Sequence, residues 1–191
     1  METLLVSLVT VTIAEMGDRT QLLSLMLIVR YGRPWPIMAG ILVATLANHL
    51  AAGLLGAAFG QLLSAKLLDL IVGTSMIGMA AWALVPDQFD EAGASLRRRG
   101  VFLGTLISFF IAEIGDKTQI ATVALAAGYS NLAAVVAGTT AGMVAANLPV
   151  VLLGNAFAAR LPIRALHIGG SLLFVGLGLF FLGRAFLGAG D

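Results

Sequence analysis

The sequence predicts an all-α integral membrane protein: six transmembrane helices arranged as two inverted three-helix repeats. Three observations carry that expectation. The 191 residues are 59% hydrophobic and 11% charged, whereas a soluble domain is about a quarter charged. Such an apolar excess must face something other than water. A charged segment at residues 13–21 returns at residues 111–119, with seven of nine positions identical and only Met16/Ile114 and Arg19/Lys117 exchanged. The two copies lie 98 residues apart, which is three spans, and an odd number of spans reverses the second unit relative to the first.

Apolar runs at 3–29, 36–60, 67–86, 101–127, 131–157 and 165–187 are each long enough to cross a bilayer with some tilt. The segment 30–36, with Tyr31 and Trp35 suited to an interface, closes the first hairpin. Residues 61–66 separate the second and third runs, and the polar stretch 87–100 links the halves, 1–86 and 101–191. Residues 128–131 make a tight turn, and 160–164 precede the last run. The first run is too long for a signal-peptide core and lacks a basic leader, so it reads as a retained span. The side holding Arg30, Arg33, Arg97, Arg98, Arg99, Arg160 and Arg164 outweighs the side holding Lys66 and Arg184. The positive side is expected in the cytoplasm, with both termini outside.

The second runs also match: Ala47-Asn48 followed by Gly56 parallels Ala146-Asn147 followed by Gly154, which makes Leu148 the counterpart of His49. The third runs share Gly73 and Gly78 against Gly169, Gly170, Gly176 and Gly178, and glycines of this kind let helices approach closely. A net charge of +1 without a basic tail excludes nucleic acid as a partner, and the absence of Cys excludes thiolate chemistry.

The repeated segment is the candidate site. Glu15 and Asp18 are three apart, which on a helix puts both carboxylates on one face; Glu113 and Asp116 repeat the spacing. All four fall near the middle of their spans, where one charge costs ~3 kcal/mol on insertion scales. They must therefore face one another or a wet cavity. Four carboxylates against Arg19 and Lys117 give −4 + 2 = −2, which balances one divalent cation. Each base is expected to hold and orient its neighbouring acid. Gln21, Gln119, Asn48 and Asn147 supply further oxygen donors, a set suited to hard divalent ions such as Ca²⁺, Mg²⁺ or Mn²⁺. Gly17 and Gly115 allow either close helix approach or a local break that exposes backbone carbonyls. His49 reads as a hydrogen-bonded core histidine, with proton relay or a nitrogen ligand as its functional readings. Pro149 is expected to kink the fifth span and free a carbonyl.

The two copies of Glu-x-Gly-Asp-(Arg/Lys)-Thr, one per half, resemble the signature of the Gdt family of Ca²⁺/Mn²⁺:H⁺ exchangers, and the short chain resembles its compact bacterial form. The resemblance implies a secondary transporter with Glu15, Asp18, Glu113 and Asp116 as cation ligands. It implies proton antiport that exports Mn²⁺, or next Ca²⁺, from the cytoplasm across the inner membrane. The metal is then cargo and no resident cofactor is expected. Each aspartate has a base directly beside it, which leaves Glu15 and Glu113 as the expected proton carriers. The partners are a divalent cation, protons and the lipid bilayer, and a monomer and a homo-oligomer both fit the sequence.

Two other classes compete. An amino-acid or small-molecule exporter of the same six-span plan would need an apolar subsite and no −2 balance. An intramembrane aspartyl protease would use Asp18 and Asp116 as a dyad sharing one proton, and a base beside each aspartate argues against that. No catalytic residue is assigned, and the chain is not expected to be an enzyme.

Overall fold

The computed structural model describes residues 1–84, 100–154 and 162–187. Among these the chain is all helical. In order it forms α1 (Glu2–Glu15), α2 (Arg19–Tyr31), α3 (Pro34–Leu62), α4 (Ala65–Trp82), α5 (Val101–Glu113), α6 (Lys117–Gly128), α7 (Leu132–Leu153) and α8 (Ile163–Leu187). The expected linker at 87–100 lies outside the described residues except for Gly100, as do Arg97, Arg98, Arg99 and Arg160.

Local sequence accounts for the boundaries. Pro34 opens α3, where its fixed φ and missing N–H cost nothing. Ser64 caps α4 by accepting from Leu67 N–H, and Asn131 caps α7 by accepting from Ala134 N–H. Among the described residues, four helices are long and apolar enough to cross a membrane: α3, α4, α7 and the stretch His167–Leu187 of α8. The expected runs at 3–29 and 101–127 are not continuous helices. Each is divided, into α1 and α2 and into α5 and α6, by three residues of the repeated segment. At 14 residues α1 is about 21 Å long, short of the ~30 Å hydrocarbon thickness. Pro149 lies inside α7, and the helix continues through it to Leu153.

The packing crosses between halves. Helix α1 packs most extensively on α7, α5 on α3, and α4 on α8. Glycines set the approach. A Cβ on Gly138 of α7 would meet Leu4 O, Ser7 Cβ and Leu8 N of α1. A Cβ on Gly40 of α3 would meet Phe102 O, Thr105 Cβ and Leu106 N of α5. Every residue in the first contact lies 98 positions from its counterpart in the second. The register of the repeat in these helices is therefore 98. This corrects the alignment read from the Asn pairs: in the contact register Asn48 corresponds to Ala146, Thr45 to Met143, and Asn147 to His49 rather than to Asn48. One additional residue between Gly138 and Asn147, compared with Gly40 and Asn48, separates the two alignments.

In the third pair only part of the glycine pattern is used. Gly73 and Gly178 meet backbone to backbone, while Gly78, Gly169 and Gly176 have open space beside them. Two clusters of buried apolar side chains complete the interior, one around Val72, Met76, Leu125, Phe174 and Phe181, the other around Val11, Leu27, Ile41, Phe109 and Met143. Large apolar residues such as Leu46, Leu50, Leu54, Leu172 and Leu179 are exposed. An outer surface of this kind suits lipid rather than water.

The α3–α6 contact makes a stability prediction. A Cβ on Gly56 would lie 2.2 Å from Val123 O, a backbone atom that cannot rotate away. Gly56→Ala should destabilise by about 1–3 kcal/mol. Gly78→Ala, with nothing within 4 Å, should be neutral or stabilise by up to ~1 kcal/mol through helix propensity. Thermal unfolding in detergent checks both, and equal melting temperatures for the two variants would contradict the packing.

Candidate functional site: two broken helices and a buried carboxylate cluster

The repeated segment forms the same turn twice. After α1 the chain passes through Met16 at φ −66°, ψ 120°, and Gly17 at φ 86°, and Asp18 N–H donates to Glu15 O at 3.0 Å. After α5 it passes through Ile114 at φ −62°, ψ 119°, and Gly115 at φ 74°, and Asp116 N–H donates to Glu113 O at 3.0 Å. These are the dihedrals of a type II turn, whose third residue needs positive φ and hence glycine. The spacing of Glu and Asp is thus a turn spacing. The two acids do not share one helical face, as a continuous helix would require; the turn closes position one onto position four and brings them together instead.

The residues after each turn start a new helix. Asp18 and Asp116 occupy the N-cap positions of α2 and α6. Asp116 accepts from Thr118 N–H at 3.4 Å and Thr118 Oγ1–H at 3.1 Å, and Thr20 Oγ1–H donates to Asp18 at 3.4 Å. Gln21 Oε1 accepts from Gly17 N–H at 2.8 Å, and Gln119 Oε1 accepts from Gly115 N–H at 2.7 Å. In α6 Asp-x-x-Gln therefore works as a variant of the capping box, with the glutamine reaching back past the cap to the turn; in α2 Gln21 reaches back in the same way, but the Asp18 side chain does not cap the backbone. In this arrangement both glutamine oxygens, expected as cation ligands, are engaged with the backbone. Gln21 also donates through Nε2 to Ala146 O at 2.7 Å, tying the first break to α7.

The bases pair across the two motifs. Lys117 Nζ lies 2.5 Å from Asp18 Oδ1, with both side chains buried, and Arg19 Nη2 lies 3.0 Å from Asp116 Oδ1. The expectation that each base holds its own neighbouring acid is corrected here. Adjacent side chains at a helix start diverge: the aspartate turns back over the first turn, and the base projects to the facing motif.

Three carboxylates converge. Oxygens of Glu15, Asp18 and Asp116 all lie within 4.8 Å of one another, and all three residues are buried. Glu113 is buried as well but is held by α3. Thr45 Oγ1–H donates to its Oε1 at 2.5 Å, and Asn48 Nδ2 donates to its Oε2 at 2.9 Å and to Phe110 O at 3.1 Å. Glu15 is held far less. Asn147 Nδ2 approaches its Oε1 at 3.4 Å while also donating to Met143 O, and Asn147 Oδ1 accepts from Ser24. The other oxygen, Glu15 Oε2, is buried with no hydrogen-bond partner among the described residues. Both asparagines thus turn amide N–H groups toward the glutamates. His49 is fully buried, and neither ring nitrogen has a hydrogen-bond partner among the described residues.

Chemically, the arrangement offers a hard, anionic oxygen cluster with two fixed bases at its edges. The C-termini of α1 and α5 and the N-termini of α2 and α6 meet at the motifs, so the opposed helix dipoles largely cancel and the preference for a cation rests on the carboxylates. Hydropathy and motif spacing pointed to the acids and bases. Thr45 was missed as a partner of the site, because a hydroxyl on an apolar helix carries no distinguishing signal. The breaks were legible in principle: x-Gly-Asp-x-x-Gln combines a type II turn with a capping pattern.

Comparison with known proteins gives the family. The family model "Divalent cation/proton antiporter GDT1" matches residues 3–91 and residues 101–188. A Vibrio cholerae protein named "Putative manganese exporter" is 47% identical over 183 residues, covering 95% of this chain and 88% of that protein. A GDT1-like protein of Synechocystis is 30% identical over 187 residues, covering 87% and 90%. GDT1-like protein 5 of Arabidopsis thaliana is 26% identical over 212 residues, covering 91% and 92%. No solved structure matches the chain. The chain belongs to the GDT1 family of divalent cation/proton antiporters, and it is a multi-pass membrane transporter rather than an enzyme.

Proposed function

We propose that this antiporter carries Mn²⁺ out of the cytoplasm across the inner membrane in exchange for protons. The carboxylate cluster of Glu15, Asp18 and Asp116 carries the reading. Oxygen donors of this hardness suit Mn²⁺ and Ca²⁺ alike. Mn²⁺ is favoured by the name of the Vibrio cholerae relative. The export direction rests on the family resemblance and on the name of that relative, and the outward termini rest on the distribution of Arg and Lys.

Six spans serve the cycle, two of them discontinuous: α1 with α2 and α5 with α6. Residues 1–86 and 101–191 are inverted halves joined by the 87–100 loop. The 98-residue register of the interhelical contacts and the crossed ion pairs support this plan. The ion binds between the motifs, the halves rock around it, and protons arriving from outside at Glu15 and Glu113 release it. Asp18 and Asp116 stay as permanent ligands, each fixed by the base of the other motif. Gln21 and Gln119 hold the turns, and Asn48 and Asn147 orient the glutamates. His49 stays a candidate relay, next in the chain to Asn48, which holds Glu113.

Glu15→Gln should abolish both metal transport and the coupled proton flux in proteoliposomes with an imposed pH gradient. Uptake measured in parallel for Mn²⁺, Ca²⁺ and Mg²⁺ ranks the cargo. Normal coupled transport by the Gln variant would remove Glu15 from the mechanism.

A further inference from the structure

The two glutamates of the repeat are equivalent in sequence but not in surroundings. Glu113 has both oxygens engaged, by Thr45 at 2.5 Å and Asn48 at 2.9 Å. In the contact register the corresponding positions opposite Glu15 are Met143 and Ala146, neither of which carries a donor on its side chain. Glu15 accordingly has one weak contact and a buried oxygen with none. It stands within 4.8 Å of the aspartate oxygens, and Glu113 is not part of that group.

We infer that Thr45 is a positioning residue that latches Glu113 onto α3 and withholds it from the cation, so that the site is built from Glu15, Asp18 and Asp116 alone. The inference deepens the proposed function and rests on that cluster being the cation site. An ion bound by four carboxylates would be held harder than one bound by three. Keeping one glutamate on a hydroxyl of a neighbouring helix leaves the ion releasable. The latch exists in one half only, because Thr45 corresponds to Met143. The two halves of the site are therefore unequal.

The test measures Mn²⁺ binding to purified full-length protein by Mn²⁺ electron paramagnetic resonance, alongside transport in proteoliposomes. Thr45→Val removes the hydroxyl at nearly constant volume, and Thr45→Ala repeats the removal with room to spare. A hydrogen bond to a charged group is worth enough to shift an affinity by about tenfold or more. Both variants should bind Mn²⁺ about tenfold tighter while their maximal transport rate falls, and Thr45→Ser should restore both values. A purely structural role would lower the melting temperature without tightening binding. Unchanged or weaker binding in either folded variant overturns the latch. Asp18→Asn separates the two levels: retained Mn²⁺ binding there sinks the cation-site reading itself, whereas lost binding there with wild-type affinity in Thr45→Val sinks the latch alone.

Discussion

Lys117→Met should be among the most damaging single substitutions in the chain. Lys117 is 2% exposed and lies against Asp18, which is fully buried. Removing one partner of such a pair leaves an uncompensated charge inside the protein, at a cost of about 3–5 kcal/mol. The variant should lose Mn²⁺ transport, and its melting temperature in detergent should drop sharply. Adding Asp18→Asn to Lys117→Met should recover most of the lost stability, because the orphaned charge is gone, without recovering transport. Rescue by Asp116→Asn instead would show that the base serves its own motif. The companion variant, Arg19→Met, should be milder. Arg19 is 36% exposed, and water screens a pair of that kind to a fraction of its buried value.

Gly17→Val should remove transport by a different route. At φ 86° a β-branched side chain meets its own backbone, and holding it there costs about 1–3 kcal/mol. The chain can escape by rearranging the turn, which moves Glu15 and Asp18 apart. The Mn²⁺ affinity should fall roughly ten- to a hundredfold, the equilibrium equivalent of that strain, while helix content stays near wild type by circular dichroism. Gly17→Asn should be the mildest replacement, since Asn visits positive φ more readily than other residues with a side chain. A Val variant that binds Mn²⁺ normally would show that the turn is not what positions the acids.

The all-helical class and the charged repeat could be read from composition and spacing, because burying ionised groups in an apolar run has few physical solutions. Three of the four acids do converge, and their convergence follows from the repeat. What could not be read was which base meets which acid. Arg19 is next to Asp18 in sequence, yet it reaches Asp116, because direction at a helix start depends on a turn that hydropathy does not register. The helical spacing assigned to Glu15 and Asp18 failed for the same reason: of the two readings open for Gly17, close helix approach or a local break, the structure shows the break, with Gly17 as its left-handed corner. The Asn alignment looked symmetric in sequence, but backbone contacts at Gly40 and Gly138 fix a register one residue away. A single additional residue rotates a helix face by about 100°, enough to replace a donor opposite Glu15 with Ala146.

The crossed ion pairs also bear on how the protein is made. Asp18 and its lysine are 99 residues apart in the chain, and synthesis at roughly 5–20 residues per second separates their appearance by about 5–20 s. During that interval the first motif has been exported from the ribosome with only its adjacent arginine for company. Its correct cation arrives with the fourth apolar run. Insertion of the early helices into lipid should thus remain provisional until the later ones emerge, and a ribosome stalled before residue 117 should leave a nascent chain that quality-control proteases recognise and remove.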